Sequence, residues 1–182
     1  MASNSSFLLI LSLLTFSYKA FLLVESNDTL IHNLCNKTPE PVICLQCLHS
    51  DPTSKTADAK GLAVIAINCG EFDTTILFND SFNLYENTSD TDQPLKTMLE
   101  QCSENIVQAR DSYHGLVVAV QDDAFDVAKA SVNNDIIAYV QICTDQFNKY
   151  PTVPQPPRIL AGIEIVNVDC QIILGILSSF VG

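Results

Sequence analysis

The sequence predicts an all-α protein: an up-down four-helix bundle preceded by a short N-terminal helical hairpin and stapled by disulfides. Apolar residues recur at helical rather than strand spacing over several long segments. Prolines and polar runs separate those segments, and cysteines fall on the apolar stripes.

Residues 7–16 form a ten-residue, largely apolar run, and Val24-Glu25-Ser26 ends the stretch with modest side chains at the positions a signal peptidase reads. Residues 1–26 are therefore expected to be a secretory signal. Lys19 interrupts the hydrophobicity, whereas an anchoring span needs about 20 uninterrupted apolar residues. Residues 27–182 then read as one domain, long enough to bury a core without a metal.

Within that domain Thr38-Pro39-Glu40-Pro41 forces a turn between two short apolar pieces, predicting a helical hairpin arm over residues 27–50. Residues 54–182 are expected to form the bundle. Its first helix places Leu62, Ile65, Cys69, Phe72 and Ile76 on one stripe. Its second runs Leu95, Leu99, Cys102, Ile106, Ala109, Tyr113, Leu116, Val120, and its last Ile159, Ile163, Val166, Cys170, Ile173, Leu177, Phe180. A less regular helix over about 123–149 brings Val132, Ile136, Tyr139, Cys143 and Phe147 to one face, with Asp122 or Asp123 as N-cap. The polar segment 79–93 and the proline-rich run 151–157 are expected to connect helices.

The chain has 182 residues and a formal net charge of −12, which loss of residues 1–26 leaves unchanged, because Lys19 and Glu25 go together. Such a protein repels nucleic-acid phosphates and anionic lipid, and draws basic partners. Asn-X-Ser/Thr acceptors at Asn27, Asn36, Asn79 and Asn87 agree with export, and Asn79 and Asn87 in the polar segment are the best placed.

Seven cysteines behind an export signal read as a disulfide framework. A Cys35–Cys44 bond would close the arm. A Cys102–Cys143 bond would close a loop of about 42 residues and contribute roughly 4 kcal/mol. Spacing alone leaves the connectivity open. Cys47, Cys69 and Cys170 read most simply as small buried hydrophobes, with a Cys69–Cys170 bond as the lesser alternative. Cys44-Leu45-Gln46-Cys47 has the form of a redox or zinc motif, yet no second pair accompanies it.

Nothing in the sequence assembles catalysis. His32, His49 and His114 show no spacing for a metal site or a nucleophile and its base, and no hydrolase, metalloprotease or phosphate-loop signature occurs. Carboxylates such as Glu71 with Asp73, and Asp122 with Asp123, read as solvated helix faces. No catalytic residue, metal ligand or cofactor is expected.

An export signal, a Cys-x8-Cys arm, a second cysteine pair about 41 apart on consecutive helices and a terminal apolar helix resemble the plant invertase and pectin methylesterase inhibitor family. The resemblance covers nearly all of the chain after the signal. The run 51–66, DPTSKTADAKGLAVIA, is similar to the plane-tree pollen allergen branch. The resemblance implies disulfides Cys35–Cys44 and Cys102–Cys143, and an inhibitor that occludes the cleft of an invertase or a pectin methylesterase, in a 1:1 complex, in the apoplast or the vacuole. A Pro-Lys-Phe motif of the invertase-inhibiting branch is not kept. Its nearest match is Asp123-Ala124-Phe125, which retains only the aromatic, so the acidic chain is expected to favour a basic pectin methylesterase, with invertase as the alternative. An extracellular small-molecule carrier and a non-inhibitory signalling or storage protein are the other readings.

Overall fold

Proline marks the helix starts in this fold. In the computed structural model, which describes residues 27–181, Pro41, Pro94 and Pro157 each stand in the first turn of a helix. There the missing N–H leaves no bond unmade. The expected signal at residues 1–26 lies outside the described residues.

Helix α1 spans 27–35 and is followed by a turn and by α2, Pro41–Ser50. A 3-10 turn, Pro52–Lys55, opens with Asp51, whose carboxylate accepts from the Thr53 amide at 2.8 Å. Helix α3, Ala59–Asn87, is capped by Asp58, which accepts from the Gly61 amide at 2.8 Å. Helix α4, Gln93–Gln121, is followed by α5, Phe125–Ser131, a wide π segment, Val132–Ile137, and α6, Ala138–Lys149. Helix α7, Pro157–Leu177, completes the regular structure of the described residues.

Helix α3 packs on α4 and α7, α4 packs back on the α5–α6 unit, and that unit touches α7, so the bundle closes as a ring of four. The arm lies across α3 and α7. Its seat on α7 is Gly175, where a Cβ would stand 2.9 Å from Thr38 Cγ2 and 3.0 Å from Thr38 Cα. By length and composition α3 and α7 could cross a membrane, yet here each gives its apolar face to the bundle core.

Every residue of the α4 stripe is buried except half-buried Leu95, and the α7 stripe is buried from Ile159 to Leu177. Phe180 lies beyond the helix end in a turn. The α3 stripe differs from expectation. Leu62 and Ile65 are buried, but Phe72 is 65% and Ile76 41% exposed. The buried line runs instead through Leu62, Ala66, Gly70, Thr74, Leu77 and Ser81. Small residues allow α4 and α7 to approach closely on this line, and their low hydrophobicity hides it from a search for large apolar side chains. Gly70 shows the fit: a Cβ there would sit 3.0 Å from the Tyr113 hydroxyl and 3.2 Å from Ile173 Cδ1. Thr74 donates to the Gly70 carbonyl at 2.7 Å, and Ser81 and Ser103 share a buried hydroxyl bond of 2.9 Å.

Three further expectations are corrected. The segment 79–93 is not a loop in its first half, because α3 continues to Asn87. Neither Asp122 nor Asp123 caps the helix that follows: Ala124 holds the N-cap position, and Asp122 is the C-cap of α4. In the α5–α6 unit Val140, rather than half-buried Tyr139, continues the buried face set by Val132 and Ile136. The π segment over Asn133, Asn134 and Asp135 takes an extra residue per turn and so advances the phase by one.

Candidate protein-binding surface

Cys35 and Cys44 are bonded across the arm, and Cys102 of α4 is bonded to Cys143 of α6, with Cα atoms 5.5 and 4.4 Å apart. A third disulfide joins Cys47 of α2 to Cys69 of α3, Cα atoms 6.2 Å apart. Neither residue is therefore a free buried hydrophobe. Cys170 is the buried free thiol, which excludes the Cys69–Cys170 alternative. Burial in the core pushes the Cys170 thiol up to about 12, keeping it protonated and unreactive. Cys44-Leu45-Gln46-Cys47 is thus no redox or zinc pair: each cysteine is bonded elsewhere, so α2 is tied both to α1 and to the bundle.

Beside the third disulfide runs a groove of about 560 Å³ between α2, α3 and α7, lined among others by Ile43, Phe72, Asp73 and Asp169. A second depression of about 360 Å³ shares Asp51, Ile65 and Asn68 with it and reaches Lys60 and Gln121, so one channel follows α3 toward the α4–α5 turn. Phe72, exposed on α3 because the buried line passes behind it, gives this channel an apolar rim together with Ile43.

Asp169 is the unusual group in the groove. It comes from α7, is 5% exposed, and its Oδ2 has no hydrogen-bond partner. Burial first, then the charge and hydrogen bonding of the neighbouring Asp73 carboxyl, push the Asp169 carboxyl up to about 7. Asp73 is accordingly no member of a solvated face, as the sequence suggested. The Asp169 carboxyl therefore keeps its proton through the acid range and loses it near neutrality. The Asp51 and Asp73 carboxyls in this channel, with Lys60 at its far end, suit basic side chains of a partner.

The α4–α5 turn forms that far end. Asp123 has φ 58°, the left-handed region. The Ala124 amide donates to the Ala119 carbonyl at 2.8 Å and the Asp123 amide to the Val120 carbonyl at 3.2 Å, the paired bonds that close a helix on a left-handed residue. Proline, with φ fixed near −65°, could not stand at Asp123 in this turn. The departure from Pro-Lys-Phe therefore changes backbone shape as well as charge. Asp123 holds Lys60 at 2.8 Å, and the same ammonium donates to the Gln121 carbonyl at 2.9 Å. Phe125, the aromatic that remains, stacks on Phe180, while Val127 beside it is 62% exposed.

The other sequence-predicted residues lie apart from the channel or at its edge. Asn36 is exposed in the arm turn, Asn87 at the end of α3 and Asn79 on its middle, while Asn27 is half-buried and donates from Nδ2 to the Ser54 carbonyl. His114 is exposed on α4, but His32 and His49, 17 residues apart in sequence, are neighbours across the arm. Sequence spacing could not reveal that pair, because the hairpin fold brings it together.

Residues 29–165 match the family described as plant invertase/pectin methylesterase inhibitor. The chain is 34% identical over its full length, and over 99% of the relative, to the cell wall / vacuolar inhibitor of fructosidase 2 of Arabidopsis thaliana. It is 37% identical to a pectinesterase inhibitor of Actinidia deliciosa over 89 residues, 49% of this chain and 47% of that one. A crystal structure of a pectin methylesterase inhibitor from Arabidopsis thaliana shares the fold, with a TM-score of 0.60, 14% identity, and coverage of 82% of this chain and 95% of that chain. Arm, bundle and sequence together place the chain: it belongs to the plant invertase/pectin methylesterase inhibitor family.

Proposed function

We propose that this chain is an inhibitor protein, not an enzyme, exported to the cell wall or vacuole, where it binds a fructosidase of the invertase class and covers its cleft. The observation that carries the choice of target is the full-length similarity to a relative named as a cell wall / vacuolar inhibitor of fructosidase. The acid-lined channel along α3 and the turn at its end provide the contact surface: polar groups and exposed apolar side chains that the core has not consumed.

Pectin methylesterase is the second reading and reverses the order the sequence alone suggested. It is favoured by the net charge of −12, which attracts a basic partner over a long range. Charge steers encounters with any basic protein, whereas likeness along the whole chain constrains the contact surface, so the fructosidase reading ranks first. Size-exclusion chromatography of the purified protein with each enzyme tests the choice. Co-elution as a 1:1 complex with the fructosidase supports the first reading, and co-elution with the esterase alone replaces it with the second.

A further inference from the structure

Asp28 and His32 lie four residues apart on α1, which puts them on one face of the helix. His49, in the last turn of α2, reaches the same place from the opposite side of the hairpin. The Cys35–Cys44 bond at the closed end of the arm holds the two helices in that register. Asp28 Oδ1 lies 3.5 Å from His49 Nε2, and Asp28 Oδ2 lies 3.9 Å from His32 Nε2. One donor atom from each of the three residues falls within 4.8 Å of the others. The imidazoles meet edge to face with centroids 6.4 Å apart, so they do not stack on one another.

We propose that Asp28, His32 and His49 form a surface binding site for Zn2+. With bonds of about 2.0–2.1 Å to imidazole and carboxylate, neighbouring ligand atoms in a tetrahedral zinc site stand ~3.3 Å apart. The present spacings close to that value by small rotations of exposed side chains. Two imidazoles with one carboxylate suit zinc or copper, whereas Mg2+ and Ca2+ require shells of oxygen. The fourth position faces solvent and would take water. At the open end of the hairpin, the ion would link α1 to α2 as the disulfide does at the closed end, making a second tie that is reversible.

Calorimetric titration of the chelator-treated, disulfide-intact protein with zinc chloride tests the site, alongside thermal melting with and without zinc. One ion per chain and a melting point raised by a few degrees are expected. His32→Ala or His49→Ala should each weaken binding ten-fold or more. His114→Ala, on α4, should leave it unchanged, and magnesium should give no saturable heat. Circular dichroism of the variants confirms that the exposed substitutions leave the fold intact. Absence of saturable binding up to millimolar zinc, or binding that survives the His32→Ala/His49→Ala double substitution, would overturn the proposal.

Discussion

Phe125 lies flat on Phe180, ring centroids 4.4 Å apart and planes within 6°, so the turn after α4 is fastened to the end of the chain. A stack of this kind contributes about 1 kcal/mol beyond the area it buries. It also means that the aromatic surviving from the Pro-Lys-Phe resemblance is spent within the protein, leaving the turn to offer carboxylates and Val127. Restoring a cation at Ala124→Lys should increase inhibition of a fructosidase about ten-fold, because a charge-assisted hydrogen bond is worth about 1.5–3 kcal/mol. The long stem can carry the ammonium out from a half-buried position. Unchanged inhibition constants for Ala124→Lys would remove the turn from the contact surface.

Asp169 predicts an inverted pH dependence of stability. Its folded-state carboxyl titrates at about 7, above the value of about 3.9 for an unfolded chain. Between those values the folded protein holds a proton that the unfolded chain has lost. The contribution is therefore complete below about pH 4, falls as pH rises to about 7, and is flat beyond. Its size is on the order of 4 kcal/mol. Asp169→Asn should abolish this slope and be more stable than the parent above pH 7. Urea denaturation of both proteins at a series of pH values measures the difference, and parallel curves would contradict the assignment.

The Cys47–Cys69 bond closes a chain separation of 22 residues, for which loss of unfolded-state entropy gives about 3 kcal/mol. A Cys47→Ser/Cys69→Ser protein should lose about that much stability while remaining helical. Its α2 should exchange amide hydrogens faster, because the arm keeps Cys35–Cys44 but loses its tie to the bundle. Equal protection of α2 in the two proteins would show that the arm is held by packing alone.

Gly70→Ala inserts a methyl group between Tyr113 and Ile173, where contacts of 3.0–3.2 Å leave no room. Overpacking of this order costs about 1–3 kcal/mol. The substitution favours helix by propensity, by about 1 kcal/mol, so a rise in melting temperature would mean that Tyr113 moves aside freely. A fall is expected, and scanning calorimetry distinguishes the two.

The sequence exposes α4 and α7 almost completely, because both present large aliphatic side chains at a steady 3–4 spacing to the core. Helix α3 resists the same reading. It touches α2, α4 and α7, so no single stripe describes it, and its buried line runs through small residues, Ala66, Gly70, Thr74 and Ser81. The binding surface is harder still to read. Asp73 looks like any helix-surface carboxylate until α7 sets Asp169 beside it, and Cys47 looks like a spare hydrophobe until α2 meets α3. Both depend on contacts between elements far apart in the chain, which no local pattern encodes.

Titration of enzyme activity with the purified protein is the most direct test of the inhibitor assignment: a plant acid invertase and a wall pectin methylesterase, each across about pH 4.5 to 7. Stoichiometric loss of invertase activity, with the esterase spared, is the predicted result. Full activity of both enzymes at micromolar excess of the protein, with its disulfides verified intact, would contradict it.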